Sequence, residues 1–154
     1  MIIFIDTGVL GLLSSPNERK EVVDCKNWLY SFLSKGVNIV SSDICDYEVR
    51  RGILIGVKSR TKEEGLKNLD DLHNLINFLP VSTIILRNSA TLWAETRRLG
   101  LPTAELNNID ADVIIGATCQ LIQEEYPGQR LIVATTNVKH LSRFIEAKQW
   151  TQIN

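Results

Sequence analysis

Ile2-Ile3-Phe4-Ile5-Asp6-Thr7-Gly8 decides the reading of this chain. Four large apolar residues in a row, without the alternation of a half-exposed strand, describe a strand buried on both faces, as in a parallel sheet covered by helices. Asp6 stands where that strand leaves the sheet, at the C-terminal edge where open α/β sheets build their sites. A helix N-cap is the plainer role for such an aspartate. Its position after a buried strand points instead to the anchor of an acidic metal pocket, to which later segments bring further carboxylates.

Outward from this strand, hydrophobic spacing predicts alternating helices and strands. Thr7 to Leu13 fits a short helix, stopped by Ser14-Ser15-Pro16-Asn17. From about Glu18 to Ser34, Val22, Cys25, Leu29 and Phe32 form one apolar stripe. Gly36 ends that helix, and Val37 to Val40 reads as strand two. Ser42 or Asp43 is placed to cap a short third helix carrying Ile44, Tyr47, Glu48 and Arg51, weakened by Gly52 and Gly56. Thr61-x-x-Glu64 has capping-box spacing, and Leu66, Leu69, Leu72, Ile76 and Leu79 continue as a long helical stripe to Pro80. The stripe is expected to be core, with a dimer face as the second reading. Val81 to Ile85 is the expected strand three, Asn88 to Leu99 a helix ended by Gly100-Leu101-Pro102, and a polar loop runs to Asn107-Asn108. A helix over about Asp110 to Glu125, a buried strand Leu131 to Ala134, a short helix Val138 to Glu146 and an edge strand Trp150 to Ile153 complete the pattern. Such alternation implies right-handed βαβ units in a single domain spanning residues 1–154, a three-layer α/β/α sandwich with a five-stranded, mainly parallel sheet. Trp28, Trp93 and Trp150 are expected to serve packing.

Composition narrows the function. Seventeen basic against eighteen acidic residues give a net charge of -1, which argues against a bulk electrostatic binder of nucleic acid while leaving room for a local basic patch. Three widely spaced cysteines, Cys25, Cys45 and Cys119, contain no CxxC pair; buried free thiols in a reducing compartment are expected rather than a disulfide framework or zinc site. The apolar N-terminal run lacks a basic flank and is broken by Asp6, so it is expected to be a strand and not a signal peptide. No apolar stretch approaches the ~20 residues of a membrane span. A cytoplasmic location with no membrane partner is the expectation.

The acidic candidates are Asp6, Glu48, Asp110 and Asp112. In a parallel sheet their segments all open at the same edge. Two carboxylates ~4 Å apart repel by about 4 kcal/mol at an effective dielectric of about 20, so a cluster takes up protons or binds a cation. Oxygen donors without neighbouring His or Cys favour Mg²⁺ or Mn²⁺, and the natural reaction of such an ion with its waters is phosphodiester hydrolysis. Glu48 as a solvated helix residue is the duller alternative. Asp110 and Asp112 are separated by about 200° on a helix, so one faces away from the site; Asp112 is taken as the ligand and Asp110 as cap or outer support. Asn137, after the last buried strand, fits a turn residue or, beside Thr135, a residue that holds a metal water or a phosphate. His140 is read as a surface or capping histidine. Arg50-Arg51 and Arg97-Arg98 fit solvated helix faces, or sites that hold phosphates.

These pieces together resemble the PIN-domain family, especially its VapC-like toxin ribonucleases. The resemblance is carried by Ile3-Phe4-Ile5-Asp6-Thr7, Asp46-Tyr47-Glu48-Val49-Arg50-Arg51-Gly52, Asp112-Val113-Ile114-Ile115-Gly116-Ala117-Thr118 preceded by Arg97-Arg98-Leu99-Gly100-Leu101-Pro102, and Thr135-Thr136-Asn137-Val138-Lys139-His140-Leu141. It implies strand order 3-2-1-4-5, with Asp6, Glu48 and Asp112 as metal-binding acids and Thr7 as the adjoining hydroxyl. It further implies RNA as substrate, with phosphates for the arginine pairs to hold, Mg²⁺ or Mn²⁺ as cofactor, a homodimer, and a small antitoxin as inhibiting partner. The chain departs from the family at the usual fourth acid, where it has Asn137 and His140. A catalytically weak or inactive PIN-fold module binding RNA or protein is the alternative. Asp6-Thr7-Gly8 also spells the aspartic-protease triplet, but the amphipathic helices contradict that mostly β fold. Gly8 stands where a haloacid-dehalogenase-like phosphatase needs a second aspartate.

Overall fold

The computed structural model describes residues 1–56, 59–101 and 110–154. Its centre is β1 (Ile2–Ile5), buried along its whole length. Strand β2 (Asn38–Ser42) lies on one side, with Ile3 opposite Ile39, and β4 (Leu131–Thr135) on the other, with Ile3 opposite Ile132. The outer strands are β3 (Asn77–Leu79), beside β2, and β5 (Ala147–Gln149), beside β4. All pairings are parallel and the order is β3-β2-β1-β4-β5, as expected.

Seven α-helices are found among the described residues: α1 (Thr7–Ser14), α2 (Lys20–Ser34), α3 (Asp43–Ile55), α4 (Arg60–Leu72), α5 (Thr83–Arg98), α6 (Ala111–Glu125) and α7 (Val138–Leu141). From β1 the chain steps outward to β2 and β3, then crosses back to β4 and β5. Right-handed crossovers therefore put α1–α4 on one face and α5–α7 on the other. The packing agrees, with α1 against α2, α3 and α4, and α5 and α7 against α6. Between β1 and β4 the chain departs in opposite directions, which leaves a crevice at their C-terminal ends.

Local chemistry explains the elements that frame this crevice. The expected stripe of α2, Val22, Cys25, Leu29 and Phe32, is its buried face. Gly36, at φ 70°, closes α2: its N–H and that of Val37 bond Leu33 and Phe32 carbonyls, a pairing that needs the left-handed conformation. Ser42 caps α3, accepting from the Ile44 N–H. Gly8 allows α1 to pass the end of β4, because a Cβ at this position would collide with the Thr136 side chain. The indoles of Trp28 and Trp150 meet edge to face, with centroids 6.0 Å apart, joining α2 to the C-terminal segment.

Several sequence expectations are corrected. Helix α3 runs thirteen residues, straight through Gly52, because its Ile44, Cys45 and Val49 face is anchored in the core. The cap of α4 is Ser59, whose side chain accepts from Lys62 N–H, and not Thr61. The stripe from Leu66 to Leu79 is no single helix: α4 stops at Leu72, Ile76 is buried in the following turn, and Leu79 belongs to β3. Strand three thus precedes Pro80, and Val81 to Ile85 is not a strand, since Ser82 caps α5 by accepting from Ile85 N–H. Helix α7 ends at Leu141 instead of Glu146, and the last strand is Ala147–Gln149, with Trp150–Gln152 a 3-10 turn. The expected stop at Pro102 and the loop to Asn107-Asn108 lie outside the described residues.

Candidate metal centre at the C-terminal sheet edge

Asp6 leaves β1 with its backbone N–H still bonded to Ala134 O of β4, at 3.2 Å. Its carboxylate accepts from Val9 N–H at 3.1 Å, so the N-cap role is real and coexists with a place at the crevice. The residue is only 7% exposed. Burial pushes its pKa from an ordinary 3.8 up to about 6; the Thr135 hydroxyl and the Val9 and Gly8 amides pull it down, and the nearby charge of Asp112 adds to the rise.

Glu48 reaches the same edge from α3. Its Oε2 accepts from Thr7 Oγ1 at 2.6 Å, across forty-one residues of sequence, and its Oε1 lies 3.4 Å from Arg51. Asp112 comes from the first turn of α6. Burial raises its pKa above the ordinary value, the charges of Asp110 and Glu48 add to the rise, and His140 opposes it. The three predicted acids therefore occupy one electrostatic neighbourhood, linked Asp6 to Asp112 and Asp112 to Glu48. Asp110 holds the N-cap position of α6 and is buried.

His140 was not expected here. Its Nδ1 lies 3.1 Å from Asp112 Oδ2, where the sequence suggested a surface or capping residue. The signal was present in the spacing Thr135-x-Asn137-x-x-His140: one turn into the helix after β4, a side chain returns toward the strand's end. Thr135 is fully buried and also accepts from Asn137 N–H at 2.9 Å, while Asn137 itself is exposed.

The arginines separate. Arg50 binds Asp46 with two nitrogens and Asp70 with one, at 2.7 to 2.9 Å, which commits it to tying α3 to α4. Arg51, 55% exposed, is the arginine that borders the acids. Arg97 lies over the Trp93 ring at 5.0 Å, and Arg98 is exposed in the last turn of α5, where it complements the helix dipole.

The donor set suits a hard divalent cation in kind, since Asp6 and Asp112, which burial makes reluctant to ionise, gain from one. Among the described residues, no three His, Cys, Asp or Glu side chains are gathered closely enough to enclose an ion as they stand. As they stand, Glu48 bonds Thr7 and Arg51, and Asp112 pairs with His140 through Oδ2. Beside Glu48, a groove of about 570 Å³ runs between α1, α3 and α4, lined by Gly11, Pro16, Val49, Gly52, Ile53 and Gly65 among others.

The architecture has solved counterparts. The VapBC2 complex from Rickettsia felis, bound to a DNA fragment from its promoter, contains a chain that superposes with TM-score 0.67 at 21% identity, covering 97% of this chain and 99% of that one. FitAcB from Neisseria gonorrhoeae matches with TM-score 0.70 at 21% identity, over 98% and 99% of the two chains. This chain has the PIN-like fold. VapBC-5 from Mycobacterium tuberculosis, a member of the VapBC family of toxin–antitoxin systems, shares it with TM-score 0.56 at 15% identity, over 96% and 95% of the chains. No protein-family model and no curated protein matches the sequence. Among the described residues no helix is long and apolar enough to cross a membrane.

Proposed function

We propose that this chain is a ribonuclease dependent on Mg²⁺ or Mn²⁺, the toxin of a toxin–antitoxin pair, acting as a homodimer in the cytoplasm. One observation carries the reading: carboxylates from β1, α3 and α6 share the crevice at the switch point, and Asp6 among them is pushed up to about 6. Maintaining like charges at a buried edge opposes folding unless a cation is bound there. The fold match, over nearly the whole of both chains, to VapBC structures and to FitAcB supports the toxin role and a small antitoxin as partner.

Asp6, Glu48 and Asp112 would hold the ion, which when bound supplies a water acidic enough to attack a phosphodiester and charge to offset that building on the phosphate. Thr7 bonds one oxygen of Glu48, and Arg51 borders the other. Thr135 and the Val9 amide fix Asp6 from below. Arg51, exposed and bordering Glu48, is positioned to receive an RNA phosphate.

A second reading has its own observation in favour. The acids are not gathered as they stand, and the fourth acidic position is taken by neutral Asn137 and by His140, which suits a PIN-like module that binds RNA or protein without turnover. Purified chain, labelled RNA and Mn²⁺ separate the two. The ribonuclease reading expects cleavage that EDTA stops and that D6N and D112N each abolish. Cleavage persisting in both variants would expose a contaminating nuclease and sink it. RNA binding without turnover, indifferent to EDTA, would establish the module.

A further inference from the structure

Asp6 and Glu48 each have more than one partner: Asp6 the Val9 amide and Thr135 of β4, Glu48 Thr7 and Arg51. Asp112 is different. It sits in the first turn of α6, 27% exposed at its side chain, and among the described residues the hydrogen-bond partner of its carboxylate is His140, from α7 across the crevice. Among the described residues, no hydrogen bond joins the Asp112 side chain to the rest of α6.

The approach of the two elements is built into the fold. A Cβ at Gly116 would lie 2.9 Å from the ring of Phe144 and 3.0 Å from its Cβ, so the glycine is what lets the segment after α7 lie flat on α6. That packing brings His140 Nδ1 to 3.1 Å from Asp112 Oδ2. A carboxylate oxygen accepts, so in the neutral ring Nδ1 carries the proton and Nε2 is the free acceptor.

From this geometry we infer that His140 is a positioning residue: its Nδ1–H grips Oδ2 of Asp112 and turns Oδ1 toward the crevice shared with Asp6 and Glu48, where a divalent cation binds. The inference rests on the metal-dependent reading above. It assigns His140 the support of a ligand, not contact with substrate. The rival account is a half-exposed surface pair, which would contribute little to stability and nothing to metal affinity. Outer partners of metal ligands behave differently, their loss typically weakening metal binding by about 10–100-fold.

The experiment uses the full chain, with Mn²⁺ as probe and no RNA. Wild type, H140A and H140N are compared by calorimetric titration and by the electron paramagnetic resonance signal of free Mn²⁺, with circular dichroism confirming the fold of each. Asparagine is chosen because its amide N–H falls near the place of Nδ1. H140A is expected to bind Mn²⁺ about 10–100-fold more weakly and H140N to recover most of the loss. In parallel, ¹⁵N spectra of the metal-free wild type at mildly alkaline pH are expected to show the Nδ1–H tautomer. Equal Mn²⁺ affinity in wild type and H140A, no recovery in H140N, or an Nε2–H tautomer would each overturn the role of His140 while leaving the metal reading intact. A wild type that binds no Mn²⁺ while still showing the Nδ1–H tautomer would refute the metal reading, and with it the purpose assigned to the contact.

Discussion

Replacing Asp6 with asparagine should make the metal-free protein more stable at neutral pH, although it removes the residue on which the site is centred. The carboxyl ionises near 3.8 in the unfolded chain and near 6 in the folded one, chiefly because it is buried. Each tenfold change in proton affinity is worth about 1.4 kcal/mol, so ionised Asp6 opposes folding by about 3 kcal/mol at pH 7, the difference between 3.8 and about 6. Between those two values the folded protein keeps a proton that the unfolded chain releases, and stability falls as pH rises through this window. Below it the penalty is absent; above it the penalty is complete. D6N retains an oxygen for the Val9 amide and carries no charge, so its advantage should approach 3 kcal/mol above the window and vanish below it. That figure is a ceiling, since a buried amide also pays for lost hydration. For a chain of this size it corresponds to about 6–12 °C in Tm. Urea unfolding of both proteins in EDTA, at several pH values, measures it. Adding Mn²⁺ at about 100 times its Kd should stabilise wild type by about 2.7 kcal/mol, leave D6N unmoved and close most of the gap. A D6N protein no more stable than wild type in EDTA at neutral pH would refute the reasoning, as would a difference that persists at acid pH.

Other consequences are simpler to check. G8A should destabilise by about 1–3 kcal/mol through its collision with Thr136, and G8A/T136G should regain part of the loss in thermal unfolding, whereas purely local effects would add. R50A should lower stability by up to about 1 kcal/mol, since the guanidinium is a third exposed, and leave RNA affinity unchanged; R51A should weaken RNA binding with little change in stability. A filter-binding assay that reverses these two results would show that the arginines had been assigned the wrong way round. Burial pushes the Cys25 and Cys45 thiols up to about 12 and Cys119 well above its ordinary value, so none should react with a disulfide reagent at pH 8 until denaturant is added. Rapid labelling of any one in the native protein would contradict the core packing.

What the sequence determined by itself was whatever a short window can hold. The unbroken apolar run of Ile2–Ile5 has one stable place, the middle of a covered sheet, and the stripe of α2 has one buried face. Ser42 and Gly36 mark their element ends by hydrogen bonds to residues within five positions. Windows failed where two local patterns competed. Ile76 and Leu79 continue the helical spacing of Leu69 and Leu72, but the chain turns after Leu72, and Leu79 becomes half-buried in β3, opposite Ser42 of β2. The β-branched run after Pro80 looks like a strand, yet the Ser82 cap and the packing of α5 on α6 made it helical.

Only the tertiary structure decided which polar groups meet. Glu48 bonds Thr7 across forty-one residues, and Asp112 meets His140 across twenty-eight, because parallel crossovers return every strand's end to the same edge. Arg50 and Arg51 are adjacent in sequence, yet they point to different networks, since successive helix positions are about 100° apart. Periodicity reports which side of an element is apolar. It carries no record of which other element will stand opposite, and the chemistry of the crevice is made of those encounters.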